Sequence, residues 1–348
     1  MRRTTRTVAA LAALGLLTGV AACGGGTGAG GSSTGPAVTL SLVAYSTPQV
    51  AYQKIIKAFQ ATPAGKNVKF KESYGGSGDQ SRAVLAGLKA DIVAFSLEPD
   101  LTKLVTAKLV AGDWSSGPTK GMVTDSVVVI ATRKGNPKHL KNWDDLLGSG
   151  VQVITPNPFA SGGARWNVLA AYGAKSGKGT DKAAGLGYLG SLFTHVSVQD
   201  TSARASLQTF TSGKGDAILA YENEAVFAQQ HNQDLDYTVP DDTILIENPV
   251  AVTANSEHPV QAKAFLDFLF TPTAQKIFAA NGYRPTVSGV GGPSFPTPSG
   301  LFTIKDLGGW PKANKEFFDP ATGAVADIEK KLGVSTQSGG GSAAPSPK

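Results

Sequence analysis

The sequence predicts an α/β fold with mainly parallel sheets, arranged as two lobes. Short apolar segments typical of buried strands alternate with amphipathic segments from residue 38 to about residue 332. This alternation is typical of parallel sheets whose strands are connected by helices. Length points to two lobes, because roughly 290 ordered residues are more than one hydrophobic core usually holds.

The first elements are strands that each lead into a helix. Residues 40–44 form a strand, and the next helix begins near Pro48, with Ser46 or Thr47 as its cap. Residues 68–72 form the second strand, followed by a glycine-rich turn and another helix. The remaining predicted strands are residues 92–95, 126–131, 152–154, 217–220 and 244–246.

A single long helix is predicted from Val260 to Asn281. Its apolar residues, such as Phe265 and Ile277, recur at spacings of three and four, which places them on one face. We predict one helix here despite Pro272 near its middle.

Charge and cysteine content narrow the classes of partner. The net charge is +6, and loss of Arg2, Arg3 and Arg6 with a leader would lower it to +3. No basic stripe is interleaved with aromatic residues, so nucleic acid is not a predicted partner. Because Cys23 is the single cysteine, an internal disulfide is impossible.

The first 22 residues are predicted to be a signal peptide. A basic start, a short apolar core and small residues precede Cys23, and the apolar core is too short to span a bilayer. The segment 20–23 resembles a bacterial lipobox, which implies a lipidated Cys23; the alternative is a soluble secreted protein with an incidental cysteine. Residues 23–37 form a flexible tether that holds the protein at the outer face of the cytoplasmic membrane. Residues 333–348 are predicted to form a disordered tail.

Three segments place small or hydroxyl residues where a helix begins after a strand: residues 73–82, 154–167 and 200–206. Backbone N–H groups at a helix start lack intrahelical partners and carry partial positive charge. Glycine lets a ligand approach them closely. Together the three segments predict an anion site that needs no cation.

Several stretches, in order along the chain, resemble bacterial periplasmic sulfate-binding proteins over about residues 40–325. They are SYGGSGDQSRAV, RKGNPKHLKNWDDL, VQVITPNPFASGGARWNVLAAYG and GDAILAYENEA. The resemblance implies a two-lobed solute-binding fold of type II with two crossover strands. It also implies a monomer that delivers sulfate to the membrane permease of an ABC importer. Lobe I is expected to comprise residues 38–125 plus 248–332, and lobe II residues 126–247.

The resemblance also implies the ligand contacts. Ser77 would donate through its hydroxyl and its N–H, and Ser161 through its hydroxyl. Gly162, Gly163 and Ala203 would each donate a backbone N–H. Sulfate would thus be held by neutral donors alone.

Three positions depart from the family pattern. Tyr221 is also an expected ligand contact, but it replaces a tryptophan; an indole can only donate a hydrogen bond, whereas a phenol can donate or accept. Ser46 aligns with an aspartate and is expected to be an extra donor. Asp79 stands where some members have lysine, and it is expected to face away from the anion.

Other polar residues have structural interpretations. Arg165 is expected to pair with a carboxylate behind its loop, such as Asp200. Glu222 and Glu224 are expected to brace the helix after Tyr221. No metal, cofactor or catalytic group is predicted. The alternatives are a thiosulfate-, molybdate- or phosphate-binding protein, a secreted hydrolase and, without positive support, a surface adhesin.

Overall fold

The computed structural model describes residues 37–336 and 342–343. The predicted signal peptide and Cys23 lie outside the described residues, as does the tether apart from residue 37. Within the described part of the chain, no helix has both the length and the apolar character that crossing a membrane requires.

Strands and helices alternate through most of the described chain. The strands are β1 (Val38–Tyr45), β2 (Val68–Gly75), β3 (Ile92–Ala94), β4 (Met122–Arg133), β5 (Val153–Ile154), β6 (Val196–Gln199), β7 (Ala217–Tyr221), β8 (Leu235–Thr238), β9 (Leu245–Val252), β10 (Arg284–Pro285) and β11 (Ser342–Ala343). The helices are α1 (Gln49–Gln60), α2 (Ser77–Leu85), α3 (Glu98–Thr106), α4 (Gly162–Lys175), α5 (Lys182–Thr194), α6 (Ala203–Thr211), α7 (Glu222–Gln230), α8 (Pro259–Leu269), α9 (Pro272–Ala280), α10 (Gly309–Ala313) and α11 (Ala324–Lys331).

The strands form an open sheet in the order β11-β6-β5-β7-β4-β9-β3-β1-β2, with β8 and β10 paired to β4. At one end β1 is parallel to β2 and β3, and these three are the first strand group. Towards the other end β5 is parallel to β6 and β7, and these are the second strand group. This mixed, open sheet with flanking helices confirms the predicted α/β class.

Two long antiparallel strands connect the groups. The N-terminal part of β9 pairs with β4, and its C-terminal part pairs with β3 of the first group. Beyond its contact with β9, β4 pairs with β7 of the second group. The chain therefore crosses between the groups along β4 and returns along β9, in agreement with the two predicted crossover strands.

The segment 301–332 packs on the second strand group. Trp310 meets Trp166 of α4 edge to face, with ring centroids 4.8 Å apart. Phe317 packs similarly on Tyr172, at 4.6 Å. Phe302 is fully buried in the same core. These contacts place residues 301–332 beside the predicted lobe II, although the sequence prediction assigned them to lobe I.

Two local predictions are wrong. The predicted helix from Val260 to Asn281 is two helices, because Pro272 lies in the first turn of α9 and Thr271 accepts a hydrogen bond from the N–H of Ala274 as its cap. Neither Ser46 nor Thr47 caps α1, whose N-cap is Pro48 without a side-chain hydrogen bond.

Candidate functional site

The ends of four strands meet around a small cavity between the two strand groups. β1 ends at Tyr45, β2 at Gly75 and β7 at Tyr221, while Ser96 follows β3 by two residues. The cavity is lined by Tyr45, Ser46, Thr47, Gly75, Gly76, Ser77, Ser96, Ser161, Gly163, Ala203 and Tyr221. The cavity is much smaller than a groove elsewhere on the described surface, so a bound molecule has to be compact.

The structure brings the predicted site residues together. Six of the seven line the cavity, namely Ser46, Ser77, Ser161, Gly163, Ala203 and Tyr221. The seventh, Gly162, is the first residue of α4 and lies directly beside the cavity-lining Ser96, since a Cβ on Gly162 would be 2.8 Å from Ser96 Oγ. Residues far apart in sequence converge because α/β folds gather the carboxyl ends of strands on one side.

Three helices begin at the cavity. Ser77 is the first residue of α2, Gly162 of α4 and Ala203 of α6. No side-chain hydrogen bond caps α2 or α4. Their first N–H groups therefore have neither an intrahelical acceptor nor a capping side chain, which suits an anion. At α6, Ser202 is the cap and accepts from the N–H of Ala205.

The lining is neutral. It consists of backbone groups, hydroxyls and small or aromatic side chains, with no charged residue among them. Burial raises the pKa of Tyr221 well above its usual value, so this phenol keeps its proton. A site of this composition can bind an anion only through hydrogen bonds and helix dipoles.

The Ser77 hydroxyl already has two partners. It donates to the buried Asp100 Oδ2 at 2.8 Å and accepts from the N–H of Ser96 at 3.0 Å. A hydroxyl has one proton to donate. In this arrangement Ser77 has its backbone N–H left for a ligand, but not its hydroxyl proton.

Five lining residues were not predicted as contacts, namely Tyr45, Thr47, Gly75, Gly76 and Ser96. Ser96 is the one among them that bonds to Tyr221. It is buried, and its Oγ lies 2.6 Å from the Tyr221 hydroxyl on the other strand group. Its carbonyl accepts from Trp166 Nε1 at 2.8 Å and from Asn248 Nδ2 at 3.1 Å. The sequence shows only that Ser96 comes just after an apolar strand. Many residues that bind no ligand share this position.

Arg204 connects the two strand groups beside the cavity. Its guanidinium donates to both carboxylate oxygens of Glu224, at 2.9 and 2.6 Å, and to the carbonyl of Thr47 at 3.0 Å. Its N–H donates to Ser46 Oγ at 3.5 Å. Burial lowers the pKa of Arg204, but Glu224 raises it more, so the arginine stays charged. The paired Glu224 neutralises that charge.

The other charged residues near the site have their own partners. Asp79 pairs with Arg82 and does not line the cavity. Glu222 accepts from Arg284 at 2.9 Å. The expected pairing of Arg165 with Asp200 is wrong.

Arg165 instead donates to the carbonyl of Pro158 at 2.8 Å and to Asn314 at 3.0 Å. Asp200 accepts from Ser206 and Thr209, both at 3.0 Å. These two hydroxyls lie on α6, so Asp200 holds that helix in place. Arg165 is bonded to the loop before α4 and to the 301–332 segment instead.

Two glycines permit the close approach of the strand groups. A Cβ on Gly162 would lie 2.8 Å from Ser96 Oγ. On Gly76, a Cβ would lie 2.7 Å from the carbonyl oxygen of Thr201. Real Cβ atoms do not come so close to such neighbours, and glycine avoids the clash. The groups therefore meet across the cavity in a closed arrangement.

A closed, neutral cavity between two strand groups joined by two crossover strands defines a solute-binding protein of the periplasmic type. The model of the family described as bacterial extracellular solute-binding protein matches residues 40–284. The chain belongs to this family.

More specific similarities concern oxyanion binders. The sulfate-binding protein of Synechococcus elongatus is 41% identical over 91% of this chain and 94% of its own. The thiosulfate-binding protein of Pseudomonas aeruginosa is 33% identical over 83% and 91%. The solved structure of the sulfate-binding protein SubI from Mycobacterium tuberculosis has a TM-score of 0.78 and 42% identity over 81% of this chain and 100% of its own.

Proposed function

We propose that this protein binds sulfate outside the cytoplasmic membrane and delivers it to an ABC permease for import. The observation that carries the proposal is the neutral cavity, into which three helix starts converge from both strand groups. The relatives named as sulfate-binding proteins support the same ligand. The proposed contacts are the N–H groups of Ser77, Gly162, Gly163 and Ala203 and the hydroxyls of Ser161 and Ser46.

The composition of the cavity favours sulfate over phosphate. Sulfate has no proton at neutral pH and needs only donors, whereas phosphate is partly protonated and needs an acceptor. A phosphate proton that faces another donor is left without a partner, at a cost of about 1–3 kcal/mol. Because no carboxylate lines the cavity, a strong acceptor for that proton is lacking there.

Titration calorimetry tests the ligand. The full chain, purified in detergent and dialysed free of bound anion, is titrated with sulfate, thiosulfate, molybdate and phosphate. We expect sulfate to bind most tightly and phosphate most weakly. Tight phosphate binding without a sulfate signal would refute the proposal. Preferred binding of thiosulfate would instead support the second candidate, which the thiosulfate-binding relative suggests.

We propose a role in transport and not in catalysis. The described lining residues include no histidine, cysteine or carboxylate that could act as a base or a metal ligand beside a nucleophile. We also propose that the protein is monomeric. Light scattering of the purified chain checks this, and a concentration-dependent dimer would contradict it.

The two strand groups are proposed to be the lobes of a hinged protein. Residues 38–125 and 248–300 would form lobe I. Residues 126–247 would form lobe II together with residues 301–332, because that last segment packs on α4. Ligand contacts to both lobes would then favour the closed state over the open one.

Anchorage through Cys23 is proposed from the sequence alone. Lipidation at this residue, followed by a Gly/Ser tether, would keep the protein at the outer face of the membrane while the lobes reach the permease. Cys23→Ser should release the protein from the membrane fraction and abolish labelling with radioactive palmitate. Unchanged labelling would exclude Cys23 as the acylated residue.

A further inference from the structure

Two hydroxyls from opposite strand groups share one hydrogen bond in the cavity. Ser96 Oγ and Tyr221 Oη are 2.6 Å apart, and both side chains are almost fully buried. Each hydroxyl has one proton, so the bond between them uses one of the two. The remaining proton has to point elsewhere, and both residues line the cavity.

Acidity decides which hydroxyl donates to the other. A phenol, with an ordinary pKa of about 10, is a much stronger acid than the alcohol of serine, and it is therefore the better donor and the poorer acceptor. The geometry allows either hydroxyl to donate, and by acidity Tyr221 is the donor to Ser96 Oγ. The proton left over is that of Ser96.

The position of Ser96 Oγ is tightly held. The backbone N–H of Ser96 donates to Ser77 Oγ, and its carbonyl accepts from Trp166 and from Asn248. On the cavity side, Oγ lies so close to Gly162 that a Cβ there would approach it to 2.8 Å. The hydroxyl is therefore fixed beside the start of α4, where the backbone donors converge.

We propose that the Ser96 hydroxyl contacts the bound oxyanion directly, and that Tyr221 acts through it as a positioning residue. This rests on the proposed sulfate-binding function. The Ser77 hydroxyl donates its proton to Asp100 and cannot donate it to the anion. The Ser96 hydroxyl takes over that donor role. Tyr221 receives no direct ligand contact; its hydroxyl orients and polarises that of Ser96.

Calorimetry with sulfate on a double-mutant cycle tests the proposal. Ser96→Ala should weaken binding about tenfold or more, because a hydroxyl bound to a charged partner is lost. Tyr221→Phe should weaken it by about threefold or less, since Ser96 can still donate. The double variant should bind like Ser96→Ala alone, because Tyr221 acts only through Ser96.

The matched control is Ser176→Ala, which removes another fully buried hydroxyl at the far end of α4. It should leave the sulfate affinity unchanged, and thermal melts without sulfate show which variants are folded. A loss of tenfold or more in Tyr221→Phe would overturn the proposal, even if Ser96→Ala does not fold. Unchanged affinity in Ser96→Ala would overturn it as well. If the unaltered protein gives no sulfate signal, the proposed function itself has failed.

Discussion

Ser161 is the residue whose role is most directly testable. It is almost fully buried at the cavity and precedes α4 without capping it by its side chain. Ser161→Ala should therefore weaken sulfate binding by about 1–3 kcal/mol, the net worth of a hydrogen bond to a charged group. Titration calorimetry measures the change.

The control for this variant lies on the same helix. Ser176 follows the last residue of α4, and its Oγ accepts from the N–H of Gly179 at 2.8 Å. Ser176→Ala removes a buried hydroxyl without touching the cavity, so it should bind sulfate like the unaltered protein. Equal affinities in Ser161→Ala and Ser176→Ala would remove Ser161 from the site.

A buried carboxyl on α11 should make stability depend on pH. Glu329 is fully buried, and its Oε2 accepts from Gln199 Nε2 at 2.9 Å. Its Oε1 and that of Gln199 are buried and have no hydrogen-bond partner among the described residues. Burial raises the pKa of Glu329 to about 7. The neutral acid is thus the form that the folded protein prefers.

The sign of the effect follows from where the proton is held. Between a pKa of about 4.3 in the unfolded chain and about 7 in the folded protein, the folded state retains a proton that the unfolded state releases. The contribution of Glu329 to the free energy of unfolding is fully present below the pKa of the unfolded chain. It is lost as the pH rises through the pKa of the folded protein, and the loss is on the order of 3 kcal/mol. Glu329→Gln should therefore stabilise the protein in urea melts at pH 8, and much less at pH 5. Equal stabilisation at both pH values would contradict this explanation.

The sequence predicted six of the residues that line the cavity, but not how their protons are distributed. The position of Ser77 at a helix start can be inferred from its motif. Its hydroxyl bond to Asp100 depends on how α2 packs on α3, which no local pattern encodes. The contact between Tyr221 and Ser96 likewise joins residues 125 positions apart.

Among the elements, the start of α4 has no room for an added methyl group. Gly162→Ala would place a Cβ 2.8 Å from Ser96 Oγ and 2.9 Å from Leu97 Cγ. Because those atoms belong to the first strand group, the added methyl should hinder closure. We expect at least tenfold weaker sulfate binding, or about 1.4 kcal/mol, with the secondary structure retained in circular dichroism.

Gly190→Ala is the matched control. Gly190 lies within α5, and a Cβ there would meet nothing within 4 Å. Alanine is favoured over glycine inside a helix by roughly 0.5–1 kcal/mol, so this variant should be slightly more stable and bind sulfate normally. Normal binding in Gly162→Ala too would show that closure tolerates the methyl.

The helix boundaries show where local sequence patterns are enough to predict the ends of an element and where they are not. Ser202 caps α6, which begins within the segment 200–206 where a helix start was predicted. Pro272 was misjudged because the apolar spacing continues across it, while the chain uses Thr271 and Pro272 to begin a new helix. A continuous apolar face therefore does not establish a continuous helix.

At the scale of the whole molecule, the ligand should stabilise the fold. A ligand that binds only the folded state adds about 2.7 kcal/mol to the free energy of unfolding at 100 times its dissociation constant. We expect sulfate to raise the melting temperature, and phosphate at the same concentration to raise it less. Thermal melts monitored by circular dichroism check both, and identical shifts for the two anions would argue against selectivity.

The architecture was largely predictable because it depends on alternation and length. The order of β4 and β9, which lead the chain out of the first strand group and back, required the family resemblance. The packing of residues 301–332 on α4 was not predictable, since aromatic residues such as Trp310 and Phe317 could cover either strand group equally well.

The neutral lining of the cavity has a consequence for the conditions in which the protein can work. Mobile ions largely screen the attraction between exposed charges that are more than about 10 Å apart at 0.1 M salt, but they cannot enter a closed cavity to mask backbone dipoles. Once sulfate is enclosed, its rate of escape should vary little between dilute and saline surroundings. A cell cannot regulate the salinity outside it, and a solute-binding protein of this design would not depend on that salinity.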